Sequence, residues 1–275
     1  MLLPLFHNFK IGYTSTFMQD HRTRIHRLEG IILAREDWGE ADRMITVFTA
    51  KEGKLRMIAP GARKPTSRKS GHLELFTYGR FVIAKGRTFD KITQAETLHY
   101  FPGLRSTLEQ ISAAYVLVEL VDRFLEEEDE NALVYQLLYN ALGWLEECEA
   151  PLLLLRFFEL KLLTYIGYQP QLFYCQQCEE EAQPANQFFS IVEGGLICAV
   201  CQQKSKKVQH VPISLPALKV LRFMQRADWH IVQRLRLDTP LANELERFLQ
   251  RYATFHLGRH LKSLRFLNQV KRLFE

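Results

Sequence analysis

Four cysteines carry the clearest chemistry in this sequence. Cys175 and Cys178 are separated by two residues, Cys198 and Cys201 are separated by two residues, and a short connection joins the pairs. Two residues between thiolates let the chain wrap a tetrahedral ion as a tight knuckle, and two knuckles supply four soft sulfur ligands. A four-thiolate set suits structural Zn2+ and leaves no coordination position for water or substrate. A redox dithiol would use one such pair beside a strand–helix–strand pattern, which is absent here. Cys148 lies alone at the end of a helical run with no histidine or asparagine nearby to act as a base; it reads as an ordinary thiol.

The second set is basic. Between residues 51 and 91 there are eleven cations against three acids. The candidate DNA-binding residues are Arg43, Lys54, Arg56, Arg63, Lys64, Arg68, Lys69, Arg80, Lys85 and Arg87. Lys and Arg groups that neutralise phosphates release counterions, giving sequence-independent, salt-sensitive affinity. Phe76, Tyr78, Phe81 and Phe89 lie among them; each could stack a base, and each singly is better placed in a barrel core. No P-loop, H-E-x-x-H or G-x-S-x-G motif is present, so catalysis is not expected. His256 and His260 share a helix face without a third ligand, and read as structural or phosphate-facing.

The elements that must position these residues follow from periodicity. Alternating apolar runs predict strands at 25–34, 43–49, 55–59, 73–84 and 89–98. Turn signals stand at Gly39, at 51–54 and at Gly86-Arg87, and a long cationic loop runs from Pro60 to Gly71. Five strands with a long third connection fit the oligonucleotide-binding barrel (OB-fold). After Pro102-Gly103 the period becomes helical, predicting helices from Leu108 to Leu125, from Asn131 to Leu145, an all-apolar one from Leu152 to Tyr165, one from Ser214 through Met224, and one carrying Leu241 to Phe255. The cysteine segment reads as a ribbon, with a strand over 188–192, a turn at Glu193-Gly194-Gly195 and a returning Leu196-Ile197. The expected class is α+β: residues 1–24 an extension, 25–102 an OB-fold barrel, and 103–275 an α-helical domain with a zinc-ribbon insertion at about 172–210.

Charge is distributed in blocks. Residues 1–102 hold 17 basic against 10 acidic residues, 103–150 hold 2 against 11, and 151–275 hold 17 against 10. The basic blocks imply a polyanionic partner. Residues 126–130 are five consecutive acids, readable as a solvated turn, as a dock for a basic partner, or as a phosphate mimic competing for the basic surface. Free thiols and the absence of a leader pattern suggest the cytoplasm.

Several motifs in order resemble the RecO family of recombination mediators: Glu29 to Leu33, Gly39 to Arg43, Glu52-Gly53-Lys54, Gly61 to Pro65 with Ser67, Gly167 to Pro170 leading into Cys175, Gly194-Gly195 before Cys198, and residues 256–259 with 262–265, which look like the family's closing helix. The resemblance spans about 25–270 and implies a protein without catalytic residues. Such a protein binds single- and double-stranded DNA, anneals strands and, with RecR, helps RecA replace single-strand-binding protein, in the cytoplasm and associated with the nucleoid. The implied partners are DNA, RecR and single-strand-binding protein. The acidic, apolar-ended tail of the last would need cations beside an apolar pocket, for which Arg247, Arg251, Arg259, Lys262 and Arg265 with Leu249, Phe255 and Leu264 are the expected residues. The alternatives are a zinc-ribbon interaction scaffold and a nucleic-acid-modifying enzyme.

Overall fold

The computed structural model describes residues 25–183, 187–204 and 210–272; the extension assigned to residues 1–24 lies outside them. Five strands come first: β1 (Ile25–Trp38), β2 (Asp42–Thr49), β3 (Gly53–Ala59), β4 (Tyr78–Ala84) and β5 (Lys91–His99). They close in the order β1-β2-β3-β5-β4, with β3 and β5 parallel and β4 returning to β1. Alternation along β1 and β2 explains the closure. Leu28, Ile32, Ile45 and Val47 fill the barrel with Met57, Phe81, Ile83 and Ile92, whereas Ile31, Leu33 and Phe48 face out and join the core of the helical body.

The sequence predicts a fourth strand from Leu73, but it starts at Tyr78. Residues 70–72 form a short 3-10 turn and Phe76 takes a left-handed φ of 70°, which no strand residue can hold. The N–H of Phe76 still bonds to the carbonyl of Ile32, and its buried ring meets Tyr115 edge-on at 5.1 Å. The kink turns a core aromatic out of the barrel and into the helices.

Helix α1 (Leu108–Phe124) starts at Thr107, whose side chain accepts from the N–H of Gln110. Helix α2 (Ala132–Glu146) starts at Asn131 in the same way, and α3 (Pro151–Tyr165) is buried on most sides. The ribbon follows as β6 (Gln171–Cys175), β7 (Gln187–Ser190), β8 (Gly195–Cys198), α4 (Ala199–Lys204) and β9 (Val211–Ile213), in sheet order β6-β8-β7-β9. The strand expected over 188–192 stops at Ser190, because residues 191–194 form the turn. Then come α5 (Leu215–Arg226), capped by Ser214, the single turn α6 (Trp229–Val232), α7 (Thr239–Leu257) and α8 (Lys262–Lys271). Helix α3 packs against α1, α2, α5 and α7, which is why its sequence lacks a polar face. The closing motifs do not form one helix: Gly258, at φ 65°, ends α7. Glu119 of α1 then accepts the N–H groups of Lys262 and Ser263 at 3.0 and 2.7 Å, fixing the start of α8. Among the described residues no helix is long and apolar enough to cross a membrane.

Candidate functional site

Strands β6 and β8 run side by side and end on Cys175 and Cys198; Cys178 follows in the turn after β6 and Cys201 sits on α4. The four Sγ atoms lie within 4.8 Å of one another, and Cys178 Sγ to Cys198 Sγ is 3.9 Å. A tetrahedron with zinc–sulfur bonds of about 2.3 Å has edges of about 3.8 Å, so the set fits a four-coordinate ion, whereas a disulfide needs about 2.05 Å. Backbone N–H groups reinforce the sulfurs: Cys198 donates to Cys175 Sγ at 3.3 Å and Cys201 to Cys198 Sγ at 3.4 Å. Burial alone would raise the Cys175 thiol, but the N–H groups of Cys198, Cys178 and Gln177 outweigh it and bring the pKa down to about 7. Burial and the neighbouring thiols push Cys201 up. A divalent cation held by these four sulfurs would favour the thiolate form of all of them.

The ten candidate DNA-binding cations separate on inspection. Lys54 is 8% exposed and points away from solvent. Its Nζ donates to the carbonyl oxygens of Asp122 and Leu125, both at 2.5 Å, and lies 3.5 Å from the Asp122 carboxylate. It closes the C-terminal end of α1, with its ammonium turned inward. Lys69 is half-buried, donates to the carbonyl of Ile92 at 2.9 Å, and has its pKa lowered by burial; it ties the long loop to β5. Arg80 is held by Glu29 at 2.8 Å and Glu96 at 3.3 Å.

Arg43 and Arg63 lie where β1 turns into β2, and Arg56 lies on β3 opposite Thr46. Arg43 lies 3.8 Å from Asp37 and 3.9 Å from Glu74, and Arg56 lies 3.8 Å from Glu36. Arg63 meets Asp37 at 3.3 Å and donates to the carbonyl of Gly39 at 3.3 Å. Lys85 pairs with Asp90 at 2.9 Å inside the β4–β5 turn. Lys64, Arg68 and Arg87 are exposed and form no ion pair with any described residue. Phe76 and Phe81 are buried, and Tyr78 is edge-on to Tyr139 with its hydroxyl on Glu29 at 2.6 Å. Burial raises that phenol well above its ordinary value. Phe89 alone of the four stands at the rim, against Trp38, which sequence reasoning missed.

The two recombination-protein-O family models cover nearly the whole described chain. The N-terminal model, "Recombination protein O N terminal", matches residues 23–101, and "Recombination protein O C terminal" matches residues 105–265. The chain belongs to the RecO family. It is 41% identical over 252 residues to the DNA repair protein RecO of Roseiflexus sp. strain RS-1, covering 92% of this chain and 88% of that protein. The RecO of Desulforamulus reducens is 34% identical over 90% of this chain and 95% of its own length, and that of Halalkalibacterium halodurans is 32% identical over 90% and 96%. The RecO assignment places the barrel and the cysteine ribbon in a DNA repair and recombination family.

A basic groove of about 430 Å³ lies between α7 and α8, lined by Arg247, Arg251, Arg265 and His260 with Leu261 and Leu264. Of the apolar residues expected beside these cations, Leu264 lines the groove. Leu249 is in the core and Phe255 is exposed outside the groove lining. Elsewhere, His256 stacks on Tyr168 at 4.1 Å and has its pKa lowered by burial, a structural role.

Proposed function

We propose that this chain is a non-catalytic mediator that holds single- and double-stranded DNA on its barrel, anneals strands and, with RecR, helps RecA displace single-strand-binding protein. The division into a DNA-holding unit over 25–102 and a helical partner-binding unit over 103–275 is part of the same reading. One observation carries it: Lys64, Arg68 and Arg87 project from the long β3–β4 loop and the β4–β5 turn of a closed five-stranded barrel without an ion pair to any described residue, and the β4–β5 connection is one of the loops with which oligonucleotide-binding barrels grip nucleic acid. Zn2+ held by Cys175, Cys178, Cys198 and Cys201 is structural in this reading, since four thiolates fill its coordination.

The groove between α7 and α8 supports a receptor for the acidic tail of single-strand-binding protein, because three arginines flank Leu261 and Leu264 there. The barrel test is the variant with Lys64, Arg68 and Arg87 all changed to Ala. If three phosphate contacts are lost, the dependence of log affinity for single strands on log salt flattens by about two units. Annealing of DNA coated with single-strand-binding protein falls in parallel, with the melting temperature little changed. An unchanged salt slope refutes this placement of the DNA.

A further inference from the structure

We propose that Trp38, set against Phe89 at the rim of the barrel, is a stacking platform for an unpaired nucleobase; this rests on the DNA-binding reading above. Trp38 ends β1 and is 43% exposed, an unusual position for the largest apolar side chain. The other two tryptophans lie elsewhere and pack on each other at 6.1 Å, with Trp229 buried. Trp38 meets Phe89 at 5.8 Å with the ring planes 74° apart. An edge contact of that kind leaves ring face open, and exposed indole face is what a base stacks upon.

Both rings are held by rigid turns. The Arg63 guanidinium bonds to the Gly39 carbonyl and pairs with Asp37, while its backbone N–H donates to Ala41 at 2.9 Å; the turn carrying Trp38 is pinned on both sides. Across from it, Asp90 accepts from the N–H of Gly86 at 3.1 Å and from Lys85, and its carbonyl accepts from Ile58 at 2.9 Å. A Cβ on Gly86 would sit 1.8 Å from the Phe89 carbonyl oxygen, so only glycine lets this turn fold tightly behind Phe89. A platform already in place costs no ordering on binding.

Charge selects the occupant. Arg63 and the exposed Lys64 adjoin the Trp38 turn through the long loop, Arg87 belongs to the Phe89 turn, and neither Lys64 nor Arg87 is paired with an acid among the described residues. Flat aromatic surface beside unpaired cations matches a base attached to phosphate. A base inside a duplex has both faces covered by its neighbours, so the platform favours single strands.

The test uses the full chain with oligothymidylate at low salt, reading both tryptophan emission and the anisotropy of labelled DNA. Saturation with single strands quenches emission. Trp38→Phe removes that quench while keeping most of the affinity, and Trp38→Ala weakens single-strand binding roughly tenfold with little change on a blunt duplex. The melting temperatures of both variants match that of the parent. A quench that survives in Trp38→Phe, wild-type single-strand affinity in Trp38→Ala, or equal loss on single strands and duplex each overturns the platform. If the unaltered chain binds no DNA, the DNA-binding reading fails and the platform with it.

Discussion

Lys54→Met tests whether this cation serves the fold or the ligand. Methionine keeps the apolar stem and removes the ammonium that now donates to the carbonyl oxygens of Asp122 and Leu125. Two carbonyls at the end of α1 lose their partner, and the Asp122 carboxylate loses a cation 3.5 Å away. Removing one member of a fully buried pair costs about 3–5 kcal/mol. Asp122 is 23% exposed and keeps Arg123 at 4.0 Å, so the low end, about 3 kcal/mol, applies. At about 2–4 °C per kcal/mol for a chain of this size, the melting temperature falls by about 6–12 °C. Ellipticity against temperature measures the drop, and DNA binding is measured well below the transition. The reasoning requires an unchanged affinity and salt slope in the folded variant. A Lys54→Met protein as stable as its parent but weaker on DNA would refute it and return Lys54 to the phosphate contacts.

Removal of the metal by a chelator, or Cys175→Ser, is expected to lower the melting temperature, because the binding energy of a structural ion is folding energy. Elemental analysis showing a pure, active, stable protein without zinc would contradict this. Gly53→Ala forces an L-residue into φ 66° and puts a Cβ 2.5 Å from the Asp129 carbonyl oxygen. It is expected to cost at least about 1–2 kcal/mol in a urea titration and to expose the 126–130 segment to protease. Burial raises the Glu159 carboxyl to about 7, with Arg156 opposing and Glu246 reinforcing. The native state therefore holds this proton more tightly than the unfolded chain does. The resulting stability is full below about pH 4.5 and is lost as pH rises through 7. Denaturation curves across pH 5–7 should slope downward for the parent and flatten in Glu159→Gln; equal slopes would show that the carboxylate is charged throughout.

The barrel was legible because strand alternation is a backbone property: Leu28, Ile32, Ile45 and Val47 point inward in any closed sheet. The cysteine centre was legible because ligand spacing is local. What was not legible depended on contacts distant in sequence. Nothing near Leu73 signals that Phe76 leaves the strand to meet Tyr115. Lys54 resembles every other cation of the hairpin until α1, some seventy residues on, presents its last carbonyls. The closing motifs read as one helix, and the left-handed φ of Gly258 breaks them into α7 and α8. Trp38 beside a glycine at a turn was the one hint of an exposed aromatic, and only the return of Phe89 from the far hairpin gives it meaning.

The five acids at 126–130 are where magnitudes choose between a solvated turn and a phosphate mimic. Their side chains are exposed, as the first reading requires. Their backbone is not idle: the N–H of Glu128 donates to the Lys54 carbonyl at 2.9 Å, and Asp129 packs on Gly53. The segment is thus a strap across the β2–β3 hairpin, and Lys54 is bonded at both ends of it, through its carbonyl to Glu128 and its ammonium to Leu125. As a competitor for DNA it is weak. Its one ion pair among the described residues, Glu127 to Arg56, is 3.7 Å long between half-exposed side chains, and Arg56 is shared with Glu36. An exposed pair of that kind contributes about 0–1 kcal/mol, which could mask at most one phosphate contact by about fivefold, leaving Lys64, Arg68 and Arg87 untouched. Neutralising Glu127 therefore raises DNA affinity only slightly, whereas displacing the strap at Gly53 disturbs the seam between barrel and helices.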